Sequence, residues 1–556
     1  MPSLRNDRGQ RLGEVGRTYR ETYFSRHCNS LHLDRSTPAC HTRPSKERRT
    51  MPIKREHRSQ SGDSSPSLPR AESRGLSSRA KLGRLWLAAA VTLIAIQGHA
   101  QNPVPQIVGP VKPQAVAPGS GDLTLTVYGA NFVPGATVNW NYSPRSTTFV
   151  SAHELRAQIL ASDVTQNTAG TITVTNPSPG GGNSSASSAQ VEVHNPTATI
   201  VPGPPVLAPM QYPYGCGSVV LGDFTSDNKL DLMYGGIATL GRGNGTFQFD
   251  EFLPNYRLCF GMTFGDFNND GKLDLAYIAG DAPHYGPGKF IQTLLGDGTG
   301  KFSKVSSELQ DPKAFWWLVA GDFNGDGKLD LVAMDLNTIY TFLGNGDGTF
   351  RHGMPYPFPG DGEGISIQLG DFNNDGKLDL LAVDGLGGIY VLIGNGDGTF
   401  QSPALQVAPS GVLGCQGFGQ PLAIIDDFNG DGSLDIAGCY NVTDQIGIFL
   451  GNGDGSFQQP SLYTINPESF FSAVSGDFNS DGHTDILLSD YSPSSLYGIL
   501  LGNGNGTFEA EQTFNLPGKV EYTAESGLAA ADVNADGLLD LVIIDAGGLD
   551  VISVQN

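Results

Sequence analysis

The nine residues DFNGDGKLD, Asp322 to Asp330, decide how this chain is read. Related stretches start at Asp223 (DFTSDNKLD), Asp266 and Asp371 (both DFNNDGKLD), Asp427 (DFNGDGSLD), Asp477 (DFNSDGHTD) and Asp532 (DVNADGLLD). They are numbered loops 1 to 7 in chain order, so that loop 3 is Asp322–Asp330. Successive starts lie 43, 56, 49, 56, 50 and 55 residues apart. A period of about 50 residues marks a repeat architecture.

Oxygen-bearing side chains stand at positions one, three, five and nine of each loop, with Gly at six in all but the first. Hard cations such as calcium take six to eight oxygens at about 2.3–2.6 Å, and a short acidic loop supplies them. In loop 3, Asp322, Asn324 and Asp326 are expected to turn inward. The Lys328 carbonyl adds a backbone ligand, Asp330 closes the shell, and Gly327 takes the positive φ of the sharp turn. The same positions are Asp223, Thr225, Asp227 and Asp231 in loop 1, and Asp266, Asn268, Asp270 and Asp274 in loop 2. They are Asp371, Asn373, Asp375 and Asp379 in loop 4, and Asp427, Asn429, Asp431 and Asp435 in loop 5. Loop 6 has Asp477, Asn479, Asp481 and Asp485, and loop 7 has Asp532, Asn534, Asp536 and Asp540. The missing terminal Glu, the shorter spacing and the lack of flanking helical periodicity argue against an EF-hand. A metal-free Asn/Asp/Gly turn is the alternative. Three Asp at fixed offsets, repeated seven times, favour up to seven calcium ions. Loop 1 is the weakest candidate, because Thr225 replaces Asn and Asn228 replaces Gly; Asn still tolerates the left-handed conformation.

Each unit has one grammar. An apolar run precedes the loop (WWLVAG before Asp322), and a second follows it (LDLVAM from Leu329). A third ends at a glycine-rich turn, TIYTFLGNGDGTF from Thr338 to Phe350, and a weaker extended stretch closes the unit. Four short antiparallel strands per unit, repeated radially, predict an all-β, seven-bladed β-propeller over residues 206–556. The last unit stops at LDVISVQN, without a glycine turn or fourth strand. PVLAPMQYPYG, Pro205 to Gly215, resembles the fourth-strand stretch HGMPYPFPG, His352 to Gly360. Val206–Tyr212 is therefore expected to supply the missing outer strand, closing the ring and hiding a sheet edge.

Upstream, residues 103–195 read as a small β-sandwich. LTLTVYGANF from Leu123, ATVNWNY, ELRAQIL, GTITVTNP and SAQVEVHNP are short alternating stretches between turn signals. Trp140 is expected in its core, and His153 and His194 are expected in solvent. Residues 196–205 form a Pro-rich, semi-stiff linker. Residues 1–84 lack hydrophobic periodicity and are expected to be a disordered basic extension. Residues 1–100 carry 19 Lys/Arg against 8 Asp/Glu, and the remainder carries 15 against 48. The acidity of the remainder disfavours nucleic acid as a partner. Residues 85–100 have the pattern of a secretory signal. Lys81 and Arg84 precede the apolar run Leu85 to Ile96, and Gly98-His99-Ala100 then places the mature terminus at Gln101. Eighty residues ahead of a signal core is unusual and points to a later start codon such as Met51. The apolar run is too short to span a bilayer comfortably, with an uncleaved anchor as the alternative, and no other segment reaches that length. The expected location is secreted, periplasmic or cell-surface, and the expected state is a monomer. Cys216, Cys259, Cys415 and Cys439 are either disulfide-bonded or free thiols.

GDFNGDGKLDL and LGNGDGTF in tandem resemble the FG-GAP/VCBS repeats of integrin-α-like β-propellers, over about Val206 to Asn556. The literal Gly-Ala-Pro is absent, so the likeness is to the bacterial-type VCBS form. The resemblance implies calcium in the loop between strands one and two, at the positions named above. VYGANFVPGATVNW, Val127 to Trp140, and VTNPSPGGG, Val174 to Gly182, resemble an immunoglobulin-like IPT/TIG domain. That likeness implies a spacer or interaction module.

Strand direction places acidic loops and glycine turns on one face. The opposite face carries the diverse segments DAPHYGPG from Asp281, YNVTDQ from Tyr440 and DYSPSS from Asp490. Tyr214, Phe260, Trp316, Glu363, Phe470 and Glu525 on the connections are candidate ligand-binding residues, since rigid scaffolds present binding residues on loops. Strand-end core is the alternative for them and for Phe315. Asp335, Asp384, Asp490 and Asp545 read as turn caps. HExxH, GxSxG, Walker A and Cys/His metal spacings do not occur. The expectation is an exported, calcium-binding, non-catalytic adhesion or recognition protein for a carbohydrate or protein ligand. The alternative is an exported carbohydrate-active enzyme that uses the propeller as scaffold.

Overall fold

The computed structural model describes residues 101–556 apart from 185–188, 198–200, 203–205, 209–218, 235–236, 253–260, 280–287, 361–362, 410–422, 441–444, 466–469, 491–495, 516–526, 546–547, 553 and 556. The expected basic extension and signal segment lie outside these residues, as do Cys216, Cys259 and Cys415. The described residues belong to one compact unit. Among the described residues the only helical turn is a 3₁₀ turn at Ala161–Asp163, and no helix is long and apolar enough to cross a membrane.

The repeat region has β-propeller architecture: each acidic loop joins the first two strands of a four-stranded antiparallel sheet. In unit 3 the strands are Trp317–Gly321, Asp330–Met334, Thr338–Gly344 and Phe350–Pro357, paired in chain order. Among the described residues, seven sheets of this kind follow one another. In the last, Val206–Ala208 takes the outer place beside Gly548–Ile552, with Leu207 opposite Asp550. The strand expected from Val206 thus starts where its sequence placed it, and residues 209–212 lie outside the description. A second pairing, Val201–Pro202 with Val554–Gln555, further ties the upstream segment to the chain end.

The second strand of each unit shows why its sequence is apolar throughout. All five residues of Asp330–Met334 are buried, and so are all six of Asp379–Asp384. Each sheet is covered on both faces by its neighbours, so side chains of both orientations enter a core. The outer strand Phe350–Pro357 has no such cover and contains no buried residue. The cores lie between units. Phe323, Val332, Met334 and Ile339 of unit 3 pack with Leu378, Leu380, Ala382 and Phe400 of unit 4. An equivalent cluster joins Leu232, Tyr234 and Phe247 of unit 1 to Val542, Ile544, Leu549 and Val551 of unit 7.

Residues 101–195 form two sheets packed face to face. One runs Val111–Lys112, Leu123–Tyr128, Glu154–Ile159, Thr147–Phe149; the other is built on Thr168–Asn176. Leu125, Val127, Leu155 and Ile159 of the first meet Val138, Trp140, Ile172 and Val191 of the second. Trp140 is buried as expected. His153 and His194 are also buried, against the expectation of solvated rings. For His153 the reason is that this module is not held apart by its linker. It lies against the acidic loops.

Candidate metal centres in the acidic loops

Every loop closes on itself through the same hydrogen bonds. The first Asp accepts the N–H of position five on Oδ1 and that of position six on Oδ2; in loop 3 these are Asp326 at 3.2 Å and Gly327 at 2.9 Å. The Asp at five accepts the N–H of position seven, as Lys328 to Asp326 at 3.1 Å. The Asn at three accepts the N–H of position five in the six regular loops. Two residues per loop have positive φ, not one. Position six was expected from its glycine, and Asn228 adopts the same conformation at φ 64°. Position four was not expected; it holds Ser226, Asn269, Gly325, Asn374, Gly430, Ser480 and Ala535, all at positive φ.

The ninth residue does more than close the loop. Asp379 is fully buried. Its Oδ2 accepts the N–H of Phe372 at 2.9 Å and its Oδ1 accepts the N–H of Gly394 in the glycine turn at 2.7 Å. Units 1 to 6 repeat this bridge from acidic loop to glycine turn. That first turn glycine must lack a side chain, because a Cβ on Gly394 would overlap the carbonyl of Leu378. The turn also reaches the neighbouring unit. Gly398 donates to the carbonyl of Phe323 at 3.0 Å, and the rings of Phe323 and Phe400 meet edge-on at 6.0 Å. Gly245 of unit 1 makes the same bond to Val533 of unit 7, at 3.1 Å. The two sequence signatures of the repeat therefore meet twice, within a unit and between units.

The loops carry negative charge that the backbone does not fully compensate. Burial pushes the Asp330 carboxyl up to about 8; the Gly344 N–H opposes this, and the charges of Asp322 and Asp326 add to it. Burial likewise pushes Asp379, Asp435 and Asp485 up to about 8, Asp274 to about 7 and Asp231 to about 6. Among first-position residues, burial raises Asp477 to about 7 and Asp322 and Asp532 to about 6. Three carboxylates and a carbonyl within nine residues match a hard divalent cation in chemistry, and each carboxylate has acceptor capacity beyond its backbone bonds. Among the described residues, however, no three His, Cys, Asp or Glu side chains converge as a metal cluster. The oxygens are turned to the loop's own N–H groups.

Among the described residues, the N-terminal module reaches six of the seven loops. The Val104 N–H donates to Asp322 Oδ2 at 3.0 Å, and the Asn131 amide donates to the Asp322 carbonyl at 2.9 Å. His153 Nδ1 lies 2.9 Å from Asp371 Oδ2 and from the Gly129 carbonyl, and its Nε2 lies 3.3 Å from the Gly432 carbonyl. Burial works against a proton on this ring, but Asp371 and the two carbonyls outweigh it and the His153 pKa is raised. Lys112 Nζ pairs with Asp427 Oδ2 at 2.6 Å. Glu192 accepts from the Ser480 hydroxyl at 2.7 Å, Gln190 accepts from the Asp532 N–H at 2.9 Å, and Tyr142 lies beside Asp223. These partners are more than two hundred residues apart in several cases, and no local pattern announces them.

The candidate ligand residues fare unevenly. Tyr214, Phe260 and Glu525 lie outside the described residues, as do most of the diverse segments beside them. Phe470 starts a strand, and its side chain is not described. Trp316 is half-buried with its ring 6.0 Å from that of Trp317, and Glu363 is exposed. Phe315 is fully buried core. Asp335 and Asp384 cap turns, through Asn337 at 2.7 Å and through Leu386 and Gly388 at 2.9 and 2.7 Å.

Residues 322–382, 371–418, 427–488 and 477–543 match the family model of the FG-GAP-like repeat. None of the curated proteins matches the sequence. Among solved structures, the chain is similar to an Agrocybe aegerita lectin described as recognising non-reducing terminal N-acetylglucosamine, at 17% identity and TM-score 0.40, covering 61% of this chain and 87% of that one. It is similar to a Lactobacillus plantarum protein at 14% identity and TM-score 0.38, covering 64% and 96%. An auxiliary nutrient binding protein from Bacteroides ovatus aligns at 11% identity and TM-score 0.32, covering 82% and 98%.

Proposed function

Starting from a chain that carries FG-GAP-like repeats in a β-propeller architecture, we propose an exported, calcium-binding, non-catalytic recognition or adhesion protein. In this reading the seven repeat sheets are the blades of one closed ring, and residues 103–195 are an immunoglobulin-like IPT/TIG module. Each acidic loop holds one calcium ion through positions one, three, five and nine, with loop 1 the weakest. Calcium would supply the positive charge that the clustered carboxylates lack. The cluster joining units 1 and 7 supports closure, and the raised carboxyls support a cation in the loops.

One observation carries the choice of binding face. The N-terminal module occupies the loop face, touching loops 1 and 3 to 7. The opposite face, with Trp316 and Glu363, is left for a carbohydrate or protein ligand. Binding of the full chain to glycan and peptide arrays, in calcium and in EDTA, tests this. Calcium-dependent capture of one ligand class, weakened by Trp316→Ala or Glu363→Ala, is the expected result. Turnover of an arrayed polysaccharide would replace this reading with that of a carbohydrate-active enzyme.

A further inference from the structure

Loop 5 differs from the other loops in two ways. The residue before the first Asp is Gly222, Gly265, Gly321, Gly370, Gly476 or Ala531 elsewhere, and Asp426 in loop 5. The strand Val111–Lys112 of the N-terminal module also sends an ammonium group to that loop: Lys112 Nζ lies 2.6 Å from Asp427 Oδ2. The Asp427 side chain has no exposed surface, and that of Lys112 is only 26% exposed. The pairs Lys229–Asp227 and Lys377–Asp375 differ, because they form within one loop between side chains at least 31% exposed, where solvent screens them.

The engagement of Asp427 is complete. Oδ1 accepts Gly430 and Asp431 N–H at 2.7 and 3.1 Å; Oδ2 accepts Gly432 N–H at 2.7 Å and the ammonium. In loop 2, by contrast, Asp266 is held by its own loop, through Asp270 and Gly271 N–H at 2.9 and 2.7 Å. In loop 3 the module gives the first carboxylate only the peptide N–H of Val104, and in loop 4 it gives the His153 imidazole, which is a cation only when protonated. A dipole orients a carboxylate and leaves its charge available; an ammonium cancels it. Two cations on one carboxylate repel in a partly desolvated site, and this outweighs the orienting value of a single hydrogen bond.

We propose that Lys112 is a tethered counter-cation that competes with a metal ion for Asp427, so that calcium binding in loop 5 and docking of strand Val111–Lys112 oppose one another. The proposal rests on the calcium reading of the loops. By linkage the antagonism is reciprocal: calcium loosens this strand by the factor by which the strand weakens calcium.

Hydrogen–deuterium exchange of the full chain, titrated with calcium and read by peptide, tests it. Loop 5 should gain protection at higher calcium than loop 2, and residues 110–116 should lose protection at the same concentration. Lys112→Met should move the loop 5 midpoint about tenfold toward lower calcium and leave loop 2 in place; Lys112→Arg should keep the original midpoint. Tighter binding is not a result that damage to the fold produces. A loop 5 midpoint unchanged or raised in Lys112→Met, with loop 2 still responding, overturns the proposal alone. No calcium response in any loop overturns it together with the calcium reading.

Discussion

Asp379 serves three elements at once: its own loop, the strand it begins and the glycine turn of the same unit. Asp379→Ala would strand two buried N–H groups, and a buried donor without a partner costs about 1–3 kcal/mol. A loss of about 3 kcal/mol in denaturant unfolding is therefore expected. Position four offers the opposite case. Ala535 sits at φ 62°, where a Cβ costs about 1–2 kcal/mol. Ala535→Gly should raise stability by about 1 kcal/mol, since Gly pays back part of the gain in unfolded-chain entropy. Position six separates backbone strain from module contact. A Cβ on Gly482 would meet nothing within 4 Å, whereas one on Gly376 would strike Ala152 of the module. Gly482→Ala should cost only the strain of positive φ, about 1–2 kcal/mol. Gly376→Ala should cost more and expose residues 150–154 to proteolysis. The glycine at six was readable because glycine announces positive φ. Position four was not, because Ser, Asn, Gly and Ala there share no compositional signature.

At the scale of the element, the acidic loop makes stability depend on pH in a direction that can be worked out. The ninth-position carboxyls have raised values in the folded chain, about 8 for Asp330, Asp379, Asp435 and Asp485, against about 4 unfolded. The folded state then binds more protons than the unfolded state, so stability falls as pH rises between those values. In EDTA, the melting temperature should fall from pH 5 to pH 8. Calcium should remove most of this fall, because a bound cation replaces the proton. A site with Kd of about 10⁻⁴ M adds about 2.7 kcal/mol at a hundredfold excess of ligand. A melting temperature that rises with pH in EDTA would contradict the charge account. The spacing of carboxylates in the sequence gave the loop its chemistry. It did not reveal that the glycine turn docks on the preceding unit's loop, as Gly398 does on Phe323, because a hairpin signal describes only its own two strands.

For the whole molecule, order around the repeats is held by cores shared between neighbours, including that between units 7 and 1. Leu549 is fully buried there. Leu549→Ala should cost about 2–5 kcal/mol, as buried Leu truncations do, and should loosen units 1 and 7 together in hydrogen exchange. Loosening of unit 7 alone would argue against closure. The incomplete last unit and its look-alike segment after residue 205 made this pairing legible in advance. The docking of the N-terminal module was not legible. His153 looked isolated because its partner Asp371 lies 218 positions away, and the periodicity of one strand says nothing of a surface met by another domain. The claim on which the rest depends is that the acidic loops are calcium sites. Isothermal titration of EDTA-stripped full chain with calcium counts them directly. Five to seven ions bound per chain are expected, the six regular loops with or without loop 1 and with loop 5 weakened. Absence of calcium-specific heat up to a free concentration of about 10⁻² M, well above the range of extracellular sites, would contradict it.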